Sequence, residues 1–343
     1  MKNGKFDEAA IEAFRNHLQQ RWLADSSRKT VNSIIKQWFT FCGLRRLLPM
    51  EDLALSDDNL SRYIAWLASK HLQYRVIKNY ISMGPRVLCI ENGINWIPVS
   101  ERPLVWQTLR GARRELGDFT NRKLGITLEH LTKMRGTLNF QDHNDITFWA
   151  ACLVGFYGLF RKANLCVKRA EDFNPRKDLR RGDLLTKNNR LIIQVRHSKV
   201  IQFGERVLEV MMPYIPGKPE LCPTVTVAHM IRAIPTQSHE DALFQWRDKK
   251  GKWTPLTHNI LVGKLKASLQ AVGVNPTQYS GHSFRRGGAT WAHSIGVSDK
   301  LIKTQGDWAS DAYMIYITIG DAAKMNMVNT MASAAARGEI GGP

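Results

Sequence analysis

Between Asp145 and Leu159 the chain reads DITFWAACLVGFYGL, apolar on nearly every side. A helix of this composition has no polar face to turn toward water, so other elements must cover it all round. The run is also too short to cross a bilayer, which takes about 20 apolar residues. It therefore has to be the buried central helix of a globular unit, and the flanking sequence has to wrap it. No uncharged apolar stretch of the length a membrane span needs occurs elsewhere, so none is expected.

The flanks differ in character. Residues 1–115 read as an all-helical domain. Val31, Ile34, Ile35, Trp38, Phe39 and Phe41 fall at helical spacings between Ser27 and Cys42. A second helix follows the Ser56-Asp57-Asp58 cap and carries Leu60, Tyr63, Ile64, Trp66 and Leu67. A third includes Val76, Ile77, Tyr80 and Ile81, and a fourth runs from near Val105 to Leu116. The aromatic stripe is expected in the core. Residues 116–125, within ELGDFTNRKLG, lose the periodicity and serve as a linker. A second domain, 126–343, starts from a Thr127 cap with Glu129 in the first turn. Inside it, Arg190–Val195 and Arg206–Val210 read as short strands in a segment, 176–206, that holds nine Lys or Arg against three acidic residues. From Ala228 onward the pattern returns to helices, and the final GEIGGP is expected to fray. The fold class is mainly α with a small antiparallel β-sheet (α+β).

The 343 residues carry 49 Lys and Arg against 30 Asp and Glu, a net charge of +19. Self-repulsion at this charge is relieved by a polyanion, and counterion release makes nucleic acid the natural one. The five cysteines (Cys42, Cys89, Cys152, Cys166, Cys222) are scattered, with no CxxC pair and no zinc framework. They are expected as buried free thiols in a reducing interior, and the polar start MKNGKFDEAAIEAF has no signal-peptide core, so an intracellular, DNA-associated protein is expected.

Five elements carry chemistry in order along the chain. Gly158-Leu159-Phe160-Arg161-Lys162 follows the central helix, and Ser198-Lys199 sits in the basic hairpin. His282-Ser283-Phe284-Arg285 comes next, then Gly306-Asp307-Trp308, and last Tyr316 within AYMIYI. This set, Arg … Lys … HxxR … Trp … Tyr, resembles the tyrosine recombinases, also called the phage-integrase family. GLFRKANL, HSKVIQFGERVL, LCPTVTV, HSFRRGGATWAHSIGV and QGDWASDAYMIYI look most like recombinases of eukaryotic Crypton-type mobile elements.

The resemblance implies a helical core-binding (SAM-like) domain, a linker and a catalytic domain with a helical tail, closing as a C-shaped clamp on double-stranded DNA. It implies cleavage and rejoining through a 3′-phosphotyrosyl bond, with no cofactor, no metal and no small-molecule substrate. Tyr316 is the implied nucleophile, with Arg161 and Arg285 stabilising the phosphorane. Lys199 is the general acid for the leaving 5′ oxygen, His282 takes the phenol proton or bonds the phosphate, and Trp308 supplies an indole N–H. Tyr316 lies eight residues after Trp308, where bacterial relatives use nine, and Tyr313 lies five after it as a packing residue. Asn164 stands where many relatives carry a carboxylate three residues after the first arginine.

Arg110, Arg113, Arg114, Lys123, Arg196 and His197 are the further candidates for DNA phosphates. The implied assembly is a homo-tetramer on DNA, a dimer on each site, with the tail from Asp321 to Ala336 docking either on a neighbour or on its own domain. A nuclear location follows from the Crypton likeness. A type IB topoisomerase shares the same residues, and a domesticated, catalytically silent DNA-binding protein is the reading from another class. A basic helical scaffold for RNA would lack any RNA-binding module found in the sequence.

Overall fold

The computed structural model describes residues 8–52, 54–120, 122–187, 190–236 and 238–337; Asn121 of the linker and the GEIGGP end lie outside these. The chain divides into two compact units, Met1–Asn121 and Arg122–Pro343.

The first unit is built of α1 (Glu8–Gln20), α2 (Asp25–Arg45), α3 (Asp57–Ser69), α4 (Tyr74–Glu91) and α5 (Pro103–Leu116). The Ser56 side chain accepts the Asn59 N–H and starts α3, and Pro103 opens α5, where a missing N–H costs nothing. Trp38, Phe41, Tyr63, Ile77, Ile81 and Val105 close the core, with Trp38 and Tyr63 edge to face at 5.0 Å. Phe39, expected in that core, is exposed on the outer face of α2. Arg102 is buried but satisfied: it donates to Asp57 at 2.6 Å and to the carbonyls of Leu55 and Ile97 at 3.0 and 3.1 Å.

In the second unit, α6 (Leu128–Arg135) starts from Thr127, whose hydroxyl accepts the His130 N–H while His130 Nδ1 accepts the Thr127 N–H. The central helix is α7 (His143–Tyr157), buried without interruption from Asp145 to Phe156. Full burial of such side chains contributes about 1.5–3 kcal/mol each. After the short α8 (Lys162–Leu165), strands β1 (Leu184–Lys187), β2 (Arg190–Val195) and β3 (Leu208–Met211) form an antiparallel sheet in that order. A second hairpin, β4 (Gln245–Arg247) with β5 (Trp253–Pro255), follows α9 (Pro223–Ala233). The expectation of helices alone after Ala228 is thus corrected: three-residue strands are too short to show alternation. β1 carries no strand signal either, because only Leu184 and Leu185 mark it. The chain continues with α10 (His258–Ala271), α11 (Ser283–Ser294), α12 (Asp299–Gly306), a 3-10 segment Asp311–Tyr316, and α13 (Asp321–Ala336). All five cysteines are free and buried. No helix among the described residues is long and apolar enough to cross a membrane.

Two glycines fix where α11 lies. A Cβ on Gly287 would stand 1.7 Å from the Ile126 carbonyl oxygen, and one on Gly288 would stand 2.0 Å from that of Phe156. The helix therefore packs backbone against backbone on α7 and on the strand-like approach to α6, where Ile126 N–H donates to Ser283 O at 2.9 Å. This contact sets the position of His282 and Arg285.

Candidate active site

Arg285 is the centre of the site. Only 2% of it is exposed, which is rare for a charged side chain. Its two terminal nitrogens donate to the carbonyls of Leu159 and of Gly306, the latter at 2.7 Å, so the α7 exit and the α12 end are joined through one guanidinium. Its face lies on the Trp308 indole, 3.6 Å from the ring centroid. It forms no ion pair among the described residues, and its Nε–H is buried without a partner. Burial, and then Arg161, pull its pKa down to about 9, against the opposing pull of the Tyr316 phenol and Asp307. At pH 7 it remains a cation. A buried cation whose Nε–H is left without a partner is arranged for an anion.

Tyr316 ends the 3-10 segment and is half-buried beside this cation, its ring 5.3 Å from Arg285 Cζ, 5.7 Å from Arg286 Cζ and 5.4 Å from the Trp308 ring. The Thr290 hydroxyl of α11 donates to the Tyr316 carbonyl at 3.1 Å and holds the segment there. Tyr313 is only 3% exposed and packs edge-on to Trp308, ring centroids 6.2 Å apart. A hydrogen bond to Asp299 first, then burial, push its phenol up to about 12. It is a packing residue.

Arg161 caps α8 and lines a cleft shared with Asn164, Ser198, Arg285, Gly306 and Asp307. The Leu159 backbone before it is left-handed, φ 52°, which turns the chain sharply out of α7. His282 stands at the start of α11. Although its ring keeps access to solvent, its pKa is lowered by partial burial and then by Lys162, Arg285, Arg161 and Arg286. A neutral imidazole among four cations can accept a proton or a hydrogen bond.

Lys199 stands apart from this cluster. It is exposed on the β2–β3 turn, and its side chain has no hydrogen bond to the site. The turn itself is tied to the site through Asp307. That carboxylate accepts from Ser198 at 3.3 Å and from Arg206, so both roots of the turn converge on the residue between Gly306 and Trp308. Asp307, Arg286 and Lys162 were not singled out in the sequence. The Arg285-Arg286 doublet and the GDW triplet were visible there, but not which neighbours they meet.

No family model matches the chain. An integrase/recombinase XerD homologue of Selenomonas ruminantium is 24% identical over 307 residues, spanning 88% of this chain and 85% of that protein. The Tn1549 transposon integrase, solved as residues 82–397 with circular-intermediate DNA, superposes with a TM-score of 0.54 at 14% identity, over 92% of this chain and 98% of that one. A lambda integrase (75–356) dimer on a COC′ core site gives 0.54 at 13%, over 91% and 95%. The XerH recombinase on palindromic difH gives 0.51 at 13%, over 80% and 69%.

The fold is that of the tyrosine recombinases. Within the tyrosine recombinase fold, the candidates for DNA contact differ in freedom. Arg114 is exposed on α5, Arg110 is stacked 4.7 Å from the Trp106 ring, and Arg113 pairs with Asp118 at 2.9 Å while staying 58% exposed. Lys123 donates to Thr277 O at 2.8 Å. His197 is half-buried, its pKa lowered by burial and then by Lys177. Arg196 departs from the expectation of a phosphate contact. Its guanidinium is taken up by Asp183, at 2.7 and 2.9 Å, and by the carbonyls of Arg176 and Asp178, both at 3.0 Å. It braces the sheet instead.

Proposed function

We propose that this chain is a site-specific DNA recombinase that cuts and rejoins duplex DNA through Tyr316. The observation that carries the reading is Arg285, a buried cation without an ion pair among the described residues, held beside Tyr316 with its Nε–H unpartnered. A tyrosine nucleophile beside a site built for one anion fits attack on a phosphodiester.

The phenol oxygen of Tyr316 attacks the phosphorus, its proton passing to His282 or to solvent. Arg161 and Arg285 hold the non-bridging oxygens as charge grows on the phosphorane. The P–O5′ bond breaks, Lys199 protonates the leaving oxygen, and the 3′ end remains as a phosphotyrosyl ester. Trp308 keeps the Arg285 plane in place and excludes water. Rejoining reverses the step with a 5′ hydroxyl from the same or another duplex. The exposed Lys199 side chain reaches the leaving oxygen once DNA lies on its turn, and the turn's anchorage on Asp307 supports that role.

The first unit serves as the core-binding domain, and both units bind the duplex. The assembly is a tetramer on two sites. Met325, Met327, Val328 and Met331 of α13 are each at least half exposed, which favours docking on a neighbouring protomer. The Crypton likeness of the motifs makes the biological reaction integration or excision of a mobile element in a nucleus. Exchange between two labelled duplexes tests the proposal against topoisomerase activity. Recombinant products are expected; supercoil relaxation without exchange would favour the monomeric topoisomerase, and DNA binding without either reaction would favour the silent protein.

A further inference from the structure

The β2–β3 turn carries one group that strand cleavage does not use. Phe203 is 93% exposed, the most exposed large apolar side chain among the described residues. Displaying a phenyl ring to water forgoes the stabilisation that burial gives. Yet the turn that displays it is well braced. The Phe203 N–H donates to the Glu205 carboxylate at 2.8 Å, and hydrogen bonds from the backbone N–H groups of residues 202, 203 and 205 hold that carboxyl below its usual range. Gly204 supplies the left-handed step, φ 72°, and the Gln202 amide donates to Lys199 O at 2.7 Å. Ser198 and Ile201 exchange backbone hydrogen bonds, with Ile201 wholly buried. Both roots are fastened to Asp307 through Ser198 and Arg206.

The result is an aromatic ring on a stiff turn, four residues beyond the exposed Lys199. The one acidic side chain of the tip, Glu205, is exposed but accepts the Phe203 N–H, and Lys199 and Arg206 leave the turn with a net positive charge. A bare ring beside a cation, anchored to a phosphate site, matches the face of a nucleic-acid base better than an apolar protein groove.

We infer that Phe203 is a base-stacking wedge that unstacks a base step next to the phosphate held by Arg161 and Arg285. This rests on the recombinase reading for the location of the phosphate. Unstacking costs least at pyrimidine–purine steps, so such a step is expected beside the cut.

The test uses the full chain and nicked duplexes with 2-aminopurine at each position flanking the cleavage point, with covalent adduct scored in the same samples. Wild type should raise 2-aminopurine fluorescence at one step. Phe203→Ala should abolish the rise and weaken binding about 5- to 150-fold, the equivalent of about 1–3 kcal/mol for one stacked base. Phe203→Trp should restore both. An undiminished rise in Phe203→Ala, or no rise with wild type, overturns the wedge. So does weaker self-association with fluorescence and DNA affinity unchanged, which would assign the ring to a protein contact. Adduct without a Phe203-dependent rise sinks the wedge and leaves the recombinase standing; a Phe203-dependent rise without adduct sinks the enzyme and leaves the wedge.

Discussion

Replacing Arg285 by Met should leave the fold nearly as stable while abolishing most of the chemistry. The guanidinium gives two charge-assisted hydrogen bonds to the carbonyls of Leu159 and Gly306, worth about 1.5–3 kcal/mol each and so roughly 3–6 kcal/mol together. Against this stands the cost of keeping the cation dry and close to Arg161. A pKa held at about 9 in place of 12.5 corresponds to roughly 5 kcal/mol. The two terms nearly cancel, and a Met of similar length can lie on the Trp308 ring. Urea denaturation of Arg285→Met should therefore fall within about 2 kcal/mol of wild type. Single-turnover cleavage of a nicked duplex should drop about 10²- to 10³-fold, the usual loss when one fixed donor to a developing charge is removed. A stability loss above about 4 kcal/mol with cleavage kept within tenfold would refute the reasoning. It would make Arg285 a brace between α7 and α12, not an anion site.

Three further outcomes follow from the packing and charge. Gly287→Ala should destabilise by about 1–3 kcal/mol or more and shift α11, because its Cβ meets the Ile126 carbonyl, whereas Gly263→Ala on α10, with open space, should stabilise by about 0.5–1 kcal/mol in the same denaturation assay; equal effects would contradict the close approach. His282 has a lowered pKa, so it stays neutral at pH 7, and what it contributes to stability and cleavage is present above 6.5 and lost as pH falls through its lower folded value. Cleavage profiles should show that acidic limb in wild type and lose it in His282→Asn; a limb above 6.5 that survives the substitution would count against the assignment. Asp307→Asn keeps the left-handed backbone, φ 55°, but gives up the ion pair with Arg206. With Arg206 45% exposed, stability should fall by no more than about 1 kcal/mol. Loosening the Lys199 turn should slow cleavage by up to about 10²-fold. Unchanged cleavage would mean the turn needs no latch.

What the sequence made legible was local. The all-round apolar run became α7, the Ser56 and Thr127 caps start α3 and α6, and β2 has the bounds read from its β-branched, apolar run. The ordered arginine, histidine, tryptophan and tyrosine could be named because residue type and order are sequence properties. What joins them could not. The Arg285 bond to Leu159 spans 126 residues and the Ser198 bond to Asp307 spans 109, and no periodicity encodes such pairs. Arg196 illustrates the same limit: a basic residue in a basic hairpin reads as a phosphate contact until Asp183 is found beneath it. The exposed Phe203 was equally silent, since an apolar residue in a strand-rich segment reads as core.

The most direct test is the covalent bond itself. A library of nicked duplexes is incubated with the protein, the trapped adduct is digested, and the DNA-bearing peptide is sequenced by mass spectrometry. The account requires the nucleotide on Tyr316, its disappearance in Tyr316→Phe and its persistence in Tyr313→Phe. An adduct on Tyr313, or one undiminished in Tyr316→Phe, would contradict it.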